Sequence, residues 1–339
     1  MTETSASRRL MELTVGYWAS QAVHTAAELE LADHLAEGPL TAPELTVRTG
    51  THGPSLHRLL RFLTELGILR TDAQGAYLTT ETGDLLRTRE HGSMRDLALL
   101  YGEEFYSGWG ALTHTVRTGE RGFDSVHGAA MYPYFGRSPE LTRKFDRAMA
   151  AGSEFFTQIP ALYDFGSART VVDIAGGNGV LLAEVLRSSP QARGVLFDTA
   201  HVIDAARRGL AGSDVADRLD FASGDYYEKV PAGGDVYLLS RILHGRDDEK
   251  CVEVLTRIRE SIREDGALLI VERVIPDDGA PSLAVWFDVH MLTIAAGEER
   301  TRSEYTALLE RSGFRLSETH ELPLDTALLV AVPKAETGS

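Results

Sequence analysis

The chain has 339 residues, 43 % hydrophobic and 25 % charged, a balance that excludes a disordered or fibrous chain and, at this length, predicts two domains. Its 34 basic against 50 acidic residues give a net charge of −16, a surface that repels phosphate backbones, so no nucleic-acid partner is expected. Cys251 is the lone cysteine, which excludes an intrachain disulfide and a multi-cysteine zinc site and fits a reducing compartment.

The N-terminus, MTETSASRRLMELTVGYW, lacks the apolar core of a signal peptide. No stretch reaches the roughly 18 apolar residues of a membrane span. A cytoplasmic protein with no membrane partner is expected. Residues 8–35 read as helix, with Leu10, Leu13, Tyr17, Trp18, Ala22, Ala26 and Leu29 near helical spacing. Thr41 is a candidate N-cap, with Pro43 in the first turn and Glu44 in the capping-box position. GPSLHRLLRFLTELGIL reads as a third helix closed by Gly67, and LRTDAQGAYLTTET as a hairpin turning at Gln74-Gly75.

Three helices and a hairpin make a winged helix. That topology raises a ligand-sensing DNA-binding protein as an alternative from another class. The candidate recognition helix carries only His57, Arg58 and Arg61 as basic groups. Dimerisation through residues 1–95 fits the acidic charge better. Residues 96–165 read as a helical, aromatic-rich linker lining a substrate pocket. Residues 166–339 read as the catalytic domain, because strand-like runs alternate there with helical ones: TVVDIAG, ARGVLFD, LDFASGD, DVYLLSR and GALLIVE. That alternation predicts a parallel, doubly wound α/β sheet. FRLSETHELPLDTALLVAVPK predicts an antiparallel hairpin at its end.

The stretch TVVDIAGGNGVLLAEVL is a strand, a glycine turn and a helix. A dinucleotide fold asks for G-x-G-x-x-G, but Leu182 stands where the third glycine belongs. Asp173 in the strand and Gly176, Gly177 and Gly179 in the turn instead match the D-x-x-G-G-x-G of a Class I methyltransferase, which binds S-adenosyl-L-methionine. Asp198 ends the second strand, 21 residues after Gly177, where a carboxylate can accept both ribose hydroxyls. Gly224-Asp225-Tyr226 follow the third strand, where Asp225 can accept from the adenine amino group and Tyr226 can pack on its face.

With DVYLLSRILHGRDDEKCVEVL the chain resembles the caffeic acid-type small-molecule O-methyltransferases, over nearly its whole length. RDLALLYGEEFYSGW, GDVYLLSRI and WFDVHMLTIAAGEERT bring it nearest to the bacterial phenazine methyltransferases. The resemblance implies a Rossmann-like sheet with an antiparallel C-terminal hairpin, a homodimer through an all-α, winged-helix-like N-terminal domain, and a small aromatic substrate. It implies His244 as catalytic base, flanked by Glu272 and Glu299, with no metal. It places the cofactor against Met149, Ser153, Ser240 and Arg241 as well as the glycine turn. It offers Tyr101, Phe105, Trp109, Phe145, Met149, Trp286, Asp288 and Met291 as acceptor-pocket residues. Gly245 and Arg246 depart from the family's Asp and Trp, and Ser240 stands where plant members have lysine.

A phenol is a weak nucleophile until deprotonated, and a neutral imidazole titrates in the right range to take its proton. The expected reaction is O-methylation of a planar aromatic secondary metabolite, a hydroxyphenazine among the candidates. N-methylation of a phenazine ring is the alternative. A ring nitrogen has no proton to remove, so a histidine at 244 favours a hydroxyl acceptor. A relative that keeps the fold and changes its chemistry also stays open.

Overall fold

The computed structural model describes residues 3–89, 92–151 and 153–335. Its contacts divide the chain into two units, Met1–Glu154 and Phe155–Ser339.

In the first unit, the stretch expected as one helix over 8–35 is three: Glu3–Thr14, Tyr17–Glu28 and Leu31–His34. The second of the two breaks has a local cause. Glu30 adopts φ 52°, and a left-handed residue cannot propagate an α-helix. The next helix, Ala42–Thr49, carries the expected capping box, with Glu44 Oε2 accepting the Thr41 N–H at 2.7 Å. That hydrogen bond and the one from the Thr41 hydroxyl hold the Glu44 carboxyl below its usual range. Helix Gly53–Glu65 buries Leu56, Leu60 and Leu63 along one stripe. The hairpin pairs β1 (Leu69–Thr71) with β2 (Tyr77–Thr79), and a bridge from Leu40 to Tyr77 extends it. Asp72 Oδ1 closes the turn by accepting the Gln74 and Ala76 N–H groups.

Short helices follow from Arg95 to Ala150. Their aromatic rings pack on one another. Phe105 meets Tyr101 edge-on at 5.1 Å, and Phe145 stacks on Phe135 at 4.8 Å. By contrast, Leu10, Met11, Leu13, Tyr17 and Trp18 each leave more than half of their area exposed in this unit.

The second unit is built on a sheet of β3 (Thr170–Ile174), β4 (Arg193–Asp198), β5 (Leu219–Ser223), β6 (Val236–Ser240), β7 (Ala267–Ile275), β8 (Arg300–Thr301), β9 (Phe314–Leu322) and β10 (Thr326–Pro333). The order is β5-β4-β3-β6-β7-β10-β9, with β8 paired to β7. The pairings among β3 to β7 are parallel, and β10 joins β7 and β9 antiparallel. Apolar side chains fill both faces. Val171, Leu238 and Leu269 point into one core cluster, and Val172, Leu239 and Ile270 into the other. A parallel sheet covered on both sides has this near-continuous apolar pattern. It also puts the strand ends and the loops after them at one edge. Among the described residues, no helix is long and apolar enough to cross a membrane.

Candidate active site

The glycine turn follows β3. Asp173 is buried in that strand, and its carboxyl is pushed up to about 8, by burial and by the charge of Asp198. Its Oδ2 has no hydrogen-bond partner among the described residues. A Cβ on Gly176 would lie 2.5 Å from that carboxyl group, so any larger residue collides with it. The Gly177 N–H donates to Asp198 Oδ2 at 3.1 Å. Asp198 Oδ1 accepts from the Thr199 N–H at 2.7 Å. The turn after β3 and the end of β4 are thus drawn together across 21 residues. Gly179 closes the turn and starts helix Val180–Ser188.

Gly224 and Asp225 are exposed in the turn after β5. Asp225 Oδ1 accepts the Tyr227 N–H at 2.9 Å. Tyr226 is half-buried, and its hydroxyl accepts from Arg246 Nη2 at 2.8 Å. The arginine that departs from the family pattern is therefore tied to the tyrosine expected at the adenine. Ser240 ends β6 with its Oγ buried and without a hydrogen-bond partner among the described residues, and Arg241 follows at φ 55° with its guanidinium over Phe156.

His244 lies in the short turn Leu243–Gly245. Its Nδ1 is 3.1 Å from Glu299 Oε1 and 3.8 Å from Glu272 Oε2. Glu272, on β7, is fully buried. Its Oε1 accepts the N–H groups of Ile242 at 2.8 Å and Leu243 at 2.7 Å, with that of His244 at 3.4 Å. An uncompensated buried carboxylate costs several kcal/mol. Hydrogen bonds to a charged group return about 1.5–3 kcal/mol each, so the turn's own backbone keeps Glu272 in place. Burial pushes the Glu272 carboxyl up. Burial alone would lower His244, but the charges of Glu272 and Glu299 and the hydrogen bond to Glu299 outweigh it, and the imidazole ends above its ordinary range.

Three further contacts fix this turn. Buried Arg300 donates to the carbonyl oxygens of Leu243 at 3.1 Å and Arg246 at 2.8 Å. The Glu298 N–H donates to the His244 carbonyl at 2.8 Å. At Gly297, a Cβ would approach that same carbonyl to 2.1 Å. With Nδ1 held as donor to carboxylate, the neutral ring keeps its lone pair on Nε2.

The expected acceptor residues divide between the units. Trp286, Asp288 and Met291 share helix Leu283–Ile294. Asp288 Oδ1 accepts the Glu299 N–H at 3.0 Å, and burial raises its carboxyl. Trp286 is 68 % exposed, and Met291 is half-buried beside Gly297. In the first unit, Phe105 is buried within the aromatic cluster, Tyr101, Phe145 and Met149 are half-buried, and Trp109 is 36 % exposed. The Ser153 N–H donates to the Ala150 carbonyl. The reading of the residues passed over Arg273, Gly297 and Arg300. Arg273 and Arg300 shared one signal, a cation directly after an expected carboxylate, Glu272 and Glu299 respectively.

Two family models match the chain: an O-methyltransferase domain over residues 109–315 and an O-methyltransferase dimerisation domain over residues 11–89. The chain is 45 % identical over 330 residues to a 3-amino-4-hydroxybenzoate 4-O-methyltransferase of Streptomyces cremeus, covering 96 % of this chain and 90 % of the relative. It is 36 % identical over 327 residues to a phenazine-1-carboxylate N-methyltransferase of Pseudomonas aeruginosa, covering 96 % and 97 %. The crystal structure of an O-methyltransferase from neocarzinostatin biosynthesis, with S-adenosylmethionine and 2-hydroxy-5-methyl naphthoic acid bound, superposes with a TM-score of 0.76. That match has 31 % identity over 93 % of this chain and 96 % of the other.

Proposed function

Because the chain belongs to the O-methyltransferase family and is an S-adenosylmethionine-dependent enzyme, we propose that it methylates a hydroxyl group of a planar aromatic secondary metabolite, with His244 as general base. The observation that carries this reading is the 3.1 Å contact of His244 Nδ1 with Glu299. It fixes the ring and leaves Nε2 as proton acceptor. Glu272 supports the same arrangement by holding the turn's N–H groups and by favouring the imidazolium that forms. The cofactor supplies an electrophilic methyl group on a sulfonium. Nε2 of His244 would take the proton of the acceptor hydroxyl and leave its oxygen as the nucleophile, and positioning of that oxygen would supply much of the rate.

The residues of the glycine turn fit that cofactor. Gly176 and Gly177 bring backbone close beside Asp173 and Asp198. Gly179, Gly224, Asp225, Tyr226, Ser240 and Arg241 continue along the same strand ends. Trp286, Asp288 and Met291, which share one helix, serve the acceptor. The named acceptors of the two relatives, and the acid bound in the neocarzinostatin enzyme, are aromatic carboxylic acids. Carried to this chain, they favour a one- to three-ring hydroxylated aromatic, with hydroxyphenazines included. The exposed apolar residues from Leu10 to Trp18 support a homodimer through the first unit.

N-methylation is the second reading, favoured by the likeness to the phenazine-1-carboxylate enzyme. Mass spectrometry of wild type and His244→Ala, with the cofactor and hydroxy- and carboxyphenazines, separates them. Loss of hydroxyl methylation in the variant is expected, by about 10²–10⁴-fold. Ring-nitrogen methylation that survives the substitution refutes the base assignment.

A further inference from the structure

Arg273 follows Glu272 on β7, and nothing described so far uses it. Its guanidinium lies flat over Phe287, 3.5 Å from the ring centre. The side chain is only 17 % exposed, yet Nε is buried with no hydrogen-bond partner among the described residues. The nearest carboxylate, Glu299 Oε1, stands 4.0 Å from Nη1, beyond hydrogen-bond reach, and is already taken by His244 Nδ1 at 3.1 Å. Asp325, which also feels the arginine's charge, is occupied by the Ser282 hydroxyl and the Leu283 N–H. His290 offers no negative charge. Burial, then Arg273 and His244, push it down to about 3, so it is neutral.

A largely buried guanidinium whose Nε has no hydrogen-bond partner among the described residues is a costly group in a protein core. Stacking on Phe287 occupies only its face. The edge keeps its planar fork of N–H donors, the shape that pairs a carboxylate with two parallel hydrogen bonds. One carboxylate, Glu299, links this fork to the base.

We propose that Arg273 is a specificity-determining residue that receives the carboxylate of the acceptor, and that the acceptor is therefore a hydroxylated aromatic carboxylic acid. This rests on the reading of His244 as base for a hydroxyl acceptor, and adds to it a second anchor. The hydroxyl is delivered to Nε2, and the acid group sits against the edge of the guanidinium that Phe287 leaves open. In a protein of net charge −16, a local cation is also what lets an anionic acceptor approach.

The test compares hydroxybenzoic and hydroxynaphthoic acids with their neutral carboxamides, against wild type, Arg273→Met and Arg273→Lys. Binding is measured by calorimetry in the presence of S-adenosylhomocysteine, and turnover by mass spectrometry. Wild type is expected to bind the acids at least tenfold more tightly than the amides. Arg273→Met should weaken acids about 10–100-fold, the worth of a charge-assisted pair, and amides less than threefold. Arg273→Lys should recover part of the preference. Equal binding of acid and amide by wild type, or an equal fall for both in Arg273→Met, overturns the proposal and leaves O-methylation standing. Methylation only at nitrogen, indifferent to His244→Ala, overturns instead the reading on which it rests.

Discussion

Glu272 grips His244 from two directions: one carboxylate oxygen takes the N–H groups of the turn that carries the histidine, and the other stands 3.8 Å from its Nδ1. One side chain thus sets both where the imidazole is and how readily it holds a proton.

Glu272→Gln removes a negative charge that favours imidazolium while retaining the side chain's shape. Wild-type kcat/KM should rise with pH through an inflection above the ordinary histidine value of about 6.5, because the base must be neutral and its pKa is raised. In the variant that inflection should move to lower pH, and the plateau should fall about 10–100-fold as the turn loosens. A pH–rate profile of both proteins reads this. An unmoved inflection means that the titrating group is not His244.

Gly297 has no room for a side chain, since a Cβ would sit 2.1 Å from the His244 carbonyl oxygen, a backbone atom that cannot swing aside. Gly297→Ala should push the turn off its position. A displacement on the ångström scale of a catalytic group costs about 10²-fold in kcat. The glycine turn after β3 lies elsewhere in the sheet, so calorimetry should find the affinity for S-adenosylhomocysteine within about threefold of wild type. Equal loss of both would mean the unit as a whole is disturbed.

Leu13 and Trp18 are 55 % and 52 % exposed on consecutive helices. A double substitution to glutamate places charge in the proposed dimer contact while leaving the buried stripe of Ala22 and Ala26 intact. Sedimentation equilibrium should show wild type as a dimer and the variant as a monomer at micromolar concentration. A wild-type monomer would refute the dimer outright.

The strands and the glycine turn were legible because each lies in a short motif whose spacing is set by strand ends, whereas His244, Glu272 and Glu299 were legible through the motifs they share with the resembled family. The break at Glu30 was not, because a single left-handed residue leaves the apolar spacing on both sides intact. Arg273 escaped for a different reason. Its neighbours Phe287 and Glu299 are 14 and 26 positions away in sequence, and only the packing of helix Leu283–Ile294 against β7 brings the ring beneath the guanidinium. Arg300 was written beside Glu299, but its partners are carbonyl oxygens, which no sequence pattern displays.

The strand order has a consequence for how the enzyme comes into being. Glu272 sits opposite Ala327, in a strand whose second edge is closed by β10. During synthesis, everything from the glycine turn to the His244 segment emerges before residues 326–333 do. Domains fold as units while the chain is made, and here the strand bearing Glu272 waits with one edge bare until that late segment arrives. A nascent chain halted before Thr326 should hold the turn for the cofactor yet offer an open, apolar strand edge to its neighbours, the kind of edge that seeds aggregation. Methyl transfer would then begin only once β10 has slipped between β7 and β9.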